Sequence, residues 1–190
     1  MGVRHACISP GARNSSLTYA FTEKSKITCY SHVDERSSAF FGLGLAKSTQ
    51  KPVVLISTSG TAPANFYPAI IEASLSRVPL IILSADRPNY LVGTGANQTI
   101  DQQNLYGTHV RYFTDAGLPN KKLDVLQEKL EEAFHNAVGF DYEIPPGPVH
   151  LNFPFDEPLM PESMGEINIP SLKTSDYPEP KFNVKIPLLA

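Results

Sequence analysis

Apolar residues gather in short runs along the chain, at residues 3–8, 27–33, 53–57 and 80–84. Each run is rich in Val and Ile and too short for a helix, which predicts buried strands. Between them the spacing changes. Residues 37–47 carry Phe40, Phe41, Leu43 and Leu45 among small residues, and residues 65–76 place Ile70, Ile71, Ala73 and Leu75 near a helical repeat. Leu123, Leu126, Leu130, Phe134 and Val138 recur at intervals of three and four with charges between them, and Pro119-Asn120 supplies a start. After Pro145-Pro146-Gly147-Pro148 one more strand is expected at residues 149–153.

Alternation of strand and helix implies parallel pairing, because a parallel strand needs a long crossover and the crossover is usually a helix. The expected fold is therefore α/β: a mainly parallel central sheet of four or five strands with helices on both faces. Residues 89–107 hold Gly93, Gly95 and Gly107 with little periodicity, and read as a long functional loop. Residues 1–158 form the expected domain. Beyond it periodicity disappears and proline becomes frequent, so residues 159–190, and 171–181 above all, read as a Pro-rich linker toward a missing middle domain. No internal repeat is visible.

Composition removes several classes. At 42% hydrophobic and 18% charged, the 190 residues are neither disordered nor fibrous. A net charge of -3, with 16 basic residues scattered among 19 acidic ones, lacks the basic face that nucleic acid requires. The longest apolar run, around residues 78–83, falls well short of the roughly 20 residues that cross a bilayer. No basic segment followed by an apolar stretch opens the chain, so the expected compartment is cytoplasmic. Cys7 and Cys29 both sit in apolar runs and read as reduced core residues.

Polar clusters fall where the strands end: Ser9-Pro10-Gly11-Ala12-Arg13, Asp34-Glu35-Arg36, Thr58-Ser59-Gly60-Thr61 and Asp86-Arg87. In a parallel sheet these ends share one edge, the edge where open α/β sheets place ligands. Each cluster also has a plain reading. Ser9-Pro10-Gly11 can be a turn, Thr58 to Thr61 a capping loop, Asp34 and Glu35 partners of a helix dipole, and the arginines surface charges. Gly42-Leu43-Gly44 lies inside a helical pattern and suits close packing better than nucleotide binding. His5, His32, His109, His135 and His150 lack metal-ligand spacing, although His32 stands just ahead of Asp34-Glu35 and can line the site. No Gly-x-Ser-x-Gly elbow supports a serine hydrolase.

The segments CISPGARN (7–14), HVDERSSAFFGLGLAK (32–47), TSGTAPANFYPAIIEASLSRVPLIILSADRP (58–88) and GANQTIDQQNLYG (95–107) resemble, in order and interval, the amino-terminal domain of the MenD family. These are thiamine diphosphate enzymes of menaquinone biosynthesis. The resemblance implies a pyrimidine-binding domain of a transferase that decarboxylates 2-oxoglutarate and adds the resulting unit to isochorismate. It assigns Glu35 the hydrogen bond to N1' of the cofactor's aminopyrimidine, which favours the imino tautomer that removes the C2 proton. Such a carboxyl should be shielded from bulk water. Thr58, Ser59 and Gly60 are implied to shape the cofactor pocket, and Arg13, Arg87, Asn97 and Gln98 to face isochorismate, whose carboxylates suit guanidinium groups.

The family pattern Ser-Pro-Gly-Ser-Arg-Ser reads here with Ala12 and Asn14, which bears on any hydroxyl contact from position 12. The Gly-Asp-Gly and downstream Asn that hold the diphosphate and its Mg2+ or Mn2+ in the family are not found in this chain. No metal ligand is therefore assigned to it. The expected partner is the diphosphate-binding domain of another subunit in a homodimer or homotetramer, with this chain inactive alone. Two alternatives stand beside this reading: a stand-alone pyrimidine-domain subunit of a 2-oxo acid decarboxylase, and a noncatalytic ligand-binding module of the same fold.

Overall fold

The β-branched runs do form strands, and all of them pair in parallel. The structure, a computed structural model, describes residues 2–23, 26–120, 123–140 and 144–160; residues 161–190, most of the expected linker, lie outside that set. In chain order the strands are β1 (His5–Ile8), β2 (Thr28–Ser31), β3 (Val53–Ser57), β4 (Leu80–Asp86), β5 (Phe113–Asp115) and β6 (Val149–Pro154). The helices are α1 (Ser15–Glu23), α2 (Glu35–Thr49), α3 (Thr61–Ala64), α4 (Tyr67–Leu75) and α5 (Leu123–Val138). The sheet order is β2-β1-β3-β4-β6-β5.

Six strands replace the expected four or five. The extra one, β5, has only three residues, Phe-Thr-Asp, and no local signal separates it from a loop; its pairing with β6 through Phe113↔His150 and Asp115↔Asn152 makes it a strand. Helix α1 was likewise invisible, because only Leu17 on it is buried and the rest of its surface is polar or half-exposed. The second strand is shorter than its apolar run, and Val33 beyond it is 93% exposed. The helix expected at 65–76 is α4, with Pro68 in its first turn, where a missing N–H costs nothing, and the short α3 just ahead of it is an addition.

Two cores lie on the two faces. Alternate residues of β3 divide between them: Val53 and Leu55 pack with Leu43, Phe66 and Ile70 of the α2–α4 side, while Val54 and Ile56 pack with Leu17, Phe134 and Ala137 of the α1–α5 side. Burial on both faces explains why the central strands read as continuous apolar runs. Gly42 lets α2 approach the sheet, since a Cβ there would lie 2.5 Å from Leu55 Cδ2, whereas Gly44 faces open space. Cys7 is fully buried and Cys29 partly so, each a free thiol, and burial pushes Cys7 up to about 12. Among the described residues no helix is long and apolar enough to cross a membrane.

Candidate functional site

The sheet order reverses between β1 and β3, and the crevice outside their carboxyl ends is where a doubly wound sheet offers a ligand site. The loop after β1 is held by Asn14, which is fully buried: its Nδ2 donates to Ser9 O at 2.9 Å and its Oδ1 accepts from Gly11 N at 2.9 Å. Asn14 is therefore a brace of the loop rather than a ligand group, and a serine is too short to span both contacts. Gly11 lies against β3's end, where a Cβ would fall 2.5 Å from Thr58 Cβ. No larger residue fits between them.

This brace aims Arg13 across the edge. Its side chain is buried, with Nη1 donating to Phe155 O at 2.9 Å and Nη2 3.6 Å from the exposed Glu157 carboxylate. Its Nε has no partner among the described residues. Arg87, which follows β4, donates from Nη1 to Ser59 Oγ at 2.7 Å. Burial and then the charge of Arg13 lower the Arg87 pKa, so the two guanidiniums share one neighbourhood. Two guanidiniums in one neighbourhood suit an anionic ligand.

Asn97 and Gln98 stand in the long loop, both exposed, which the fold brings onto the end of β3. Ser59 Oγ donates to Gln98 O at 3.1 Å, and Gln98 Nε2 donates back to Ser59 O at 3.2 Å. Gly60 takes a positive φ of 80°, and a Cβ on it would meet Gln98 O at 2.9 Å. Thr58 to Thr61 does form the loop that opens α3, with Gly60 as its N-cap, but no side-chain cap bond is made.

Glu35 opens α2 at the same edge. Asp34 is the cap, accepting from Ser37 N, and that hydrogen bond holds its carboxyl below the usual range. With the cap supplied by Asp34, Glu35 is not needed for it. Glu35 is half-buried, and its carboxylate has no hydrogen-bond or ion-pair partner among the described residues. The shielding expected of it is thus only partial within this chain. His32 packs its ring on Phe41 at 4.8 Å, with a buried Nε2 that has no described partner. Ser9 Oγ and Thr58 Oγ1 are also buried without a partner among the described residues, so the edge keeps polar groups in reserve.

Behind these loops lies a buried polar network of which the linear pattern singled out Asp86 but not Ser84, Gln102 or Asn152. Gln102 Oε1 accepts from Gly60 N at 2.9 Å, and its Nε2 donates to Ala85 O at 3.1 Å and Asn152 Oδ1 at 2.9 Å. Asn152 Nδ2 donates to Asp86 Oδ2 at 2.8 Å and Asp115 Oδ2 at 3.2 Å. Ser84 Oγ donates to Asn152 Oδ1 at 2.8 Å, which leaves it to accept from His150 Nε2 at 2.7 Å. A period-two signal existed: Ser84 and Asp86 in β4, and His150 and Asn152 in β6, are polar residues sharing one face. Burial raises the Asp86 pKa and lowers that of His150 to about 3.

Two further features bear on the site. An apolar cavity of about 300 Å3 opens among Leu17, Leu118, Val125, Leu126, Phe153 and Phe155, and no sequence-nominated residue lines it. Among the described residues no cluster of three or more His, Cys, Asp or Glu is placed to hold a metal ion.

A doubly wound parallel sheet with polar loops gathered at its β1–β3 switch point has the layout of a ligand-binding α/β domain. Residues 1–105 match the family described as thiamine pyrophosphate enzyme, N-terminal TPP binding domain, and the chain belongs to it. More particularly, it is 52% identical over 160 residues to the 2-succinyl-5-enolpyruvyl-6-hydroxy-3-cyclohexene-1-carboxylate synthase of Listeria welshimeri, covering 84% of this chain and 27% of that protein. The synthase of the same name from Lysinibacillus sphaericus is 49% identical over 175 residues, 92% of this chain and 30% of the relative. That from Halobacterium salinarum is 46% identical over 177 residues, with 93% and 30% covered. The chain thus spans under a third of the length of these relatives.

Proposed function

We propose that this chain is the cofactor-activating part of a menaquinone-pathway transferase that decarboxylates 2-oxoglutarate with thiamine diphosphate and adds the succinyl semialdehyde unit to isochorismate. The observation that carries the reading is Glu35: a carboxyl at the ligand edge, relieved of capping by Asp34 and without a partner among the described residues. The resemblance to the named synthases over most of the chain supports the substrates.

Bound thiamine diphosphate supplies a stabilised carbanion equivalent. Glu35 holds a proton at N1' of the aminopyrimidine. Thr58, Ser59 and Gly60 wall the pocket on the β3 side. Arg13 and Arg87 take the carboxylates of isochorismate, and Asn97 and Gln98 orient it. Mg2+ or Mn2+ and the diphosphate belong to the diphosphate-binding domain of another subunit in a cytoplasmic homodimer or homotetramer. Exposed Val33, Phe40 and Phe41, beside the half-open Glu35, give such a subunit an apolar surface to cover and so complete the shielding.

The test is Glu35→Gln in the complete synthase, with exchange of the cofactor C2 proton followed by NMR. An amide cannot hold the transferable proton, and exchange should slow by about 100-fold or more. Exchange at the parent rate would remove Glu35 from the mechanism.

A further inference from the structure

We infer that Gln102 is a positioning residue: its carboxamide sets the spacing between the loop at the end of β3, on the cofactor side, and the loop carrying Asn97 and Gln98, on the acceptor side. The inference rests on the functional reading above and adds to it a residue that touches neither ligand.

Gln102 is 1% exposed, and its amide makes three hydrogen bonds, one accepted by Oε1 and two donated by Nε2. The orientation of the amide is not ambiguous. Gly60 N–H can only donate and Ala85 C=O can only accept, so Oε1 faces Gly60 and Nε2 faces Ala85 and Asn152. A glutamate would bring no donor to Ala85, an asparagine would fall one methylene short, and a leucine would leave Gly60 N–H, Ala85 C=O and part of Asn152 unsatisfied in the interior. The side chain therefore fastens its own loop to β4 and β6 and, through Gly60, to the segment that follows β3.

What it fastens is closely constrained. Gly60 and Gln98 face one another, both at positive φ, 80° and 53°. Ser59 and Gln98 exchange two hydrogen bonds, and Ser59 Oγ also accepts from Arg87. A shift of residues 97–103 away from Gly60 would thus pull on Ser59 and release Arg87, moving three acceptor-side groups together. The exposed neighbour Gln103 donates to Asp115 at 2.7 Å, makes no described hydrogen bond to Gly60 or Ser59, and is linked to the Gln102 side chain only through Asp115 and Asn152, so it serves as the control.

Two measurements decide the matter. In this chain, Gln102→Asn and Gln102→Leu should speed hydrogen exchange at the Gly60 amide by about tenfold or more, with the amides of β3 and β4 unchanged. In the complete synthase the same variants should lower kcat/KM for isochorismate by about tenfold or more while decarboxylation of 2-oxoglutarate changes by less than about threefold. Gln103→Ala should alter neither reading. Unchanged Gly60 exchange, which is read without any substrate, would overturn the clamp. Equal losses for both substrates would overturn the positioning role and leave a general structural one. If Gln102→Leu fails to fold, Gln102→Asn carries both readings. A parent synthase that does not join the two substrates would overturn the functional reading itself, and the exchange result would still decide the clamp.

Discussion

Arg13 and Arg87 show how much of a residue's role depends on what holds it. As sequence, each was a cation after a strand; in the fold, one is aimed by the Asn14 brace and Phe155 O, and the other by Ser59. Replacing either with alanine in the complete synthase should reduce acceptor efficiency far more than use of 2-oxoglutarate. A lost charge-assisted contact is worth about 1.5 to 3 kcal/mol, or roughly one to two powers of ten in kcat/KM. Steady-state kinetics with each substrate varied in turn is the check, and equal losses would mark the arginines as structural. The contact between Arg13 and Glu157 contributes little to this, because Glu157 is 76% exposed and the separation is 3.6 Å.

At the scale of elements, β4 and β6 are unusual in burying a polar stripe where parallel strands normally carry aliphatic side chains. The stripe makes stability depend on pH. His150 is neutral in the native state, its pKa lowered by burial from 6.5 to about 3, whereas the unfolded chain takes up a proton near 6.5. Its contribution is therefore fully present above pH 6.5 and is lost as pH falls toward about 3. One proton bound only by the unfolded state gives a slope of about 1.4 kcal/mol per pH unit. Asp86 acts in the opposite sense: burial raises its pKa above 3.8, so its share of stability falls as pH rises through that raised value. Urea unfolding of the parent and of His150→Gln at pH 6 and pH 4.5 separates the two, since only the parent loses the histidine slope. Parallel curves would show that His150 is protonated in the folded chain.

For the whole molecule, the division of labour between domains predicts weak cofactor binding by this chain alone, even with magnesium. The diphosphate and its metal normally supply most of the anchoring charge, and the groups assigned here to the cofactor are one carboxyl and a short wall of small residues. One hydrogen bond and some apolar contact do not offset the several kcal/mol lost on immobilising a flexible ligand. Calorimetric titration should show no affinity in the low-micromolar range. A tight, magnesium-dependent signal would mean that a complete cofactor site exists within these residues.

The sequence by itself determined the parallel α/β class, because β-branched runs of strand length alternating with helical spacing admit few other packings. It also placed Ser9, Glu35, Ser59 and Asp86 after successive strands, and parallel pairing then puts those positions at one edge. Local pattern carried that much because each strand and helix advertises its own buried face. The tertiary structure alone decided β5, which exists only through its partner β6, and α1, which buries too little to show a period. It alone decided that Asn14 braces a loop and that Gln102 reaches from residue 102 to residues 60, 85 and 152. Such contacts join positions far apart in the chain, where no periodicity links them, and a buried glutamine looks the same in sequence as an exposed one until the fold encloses it.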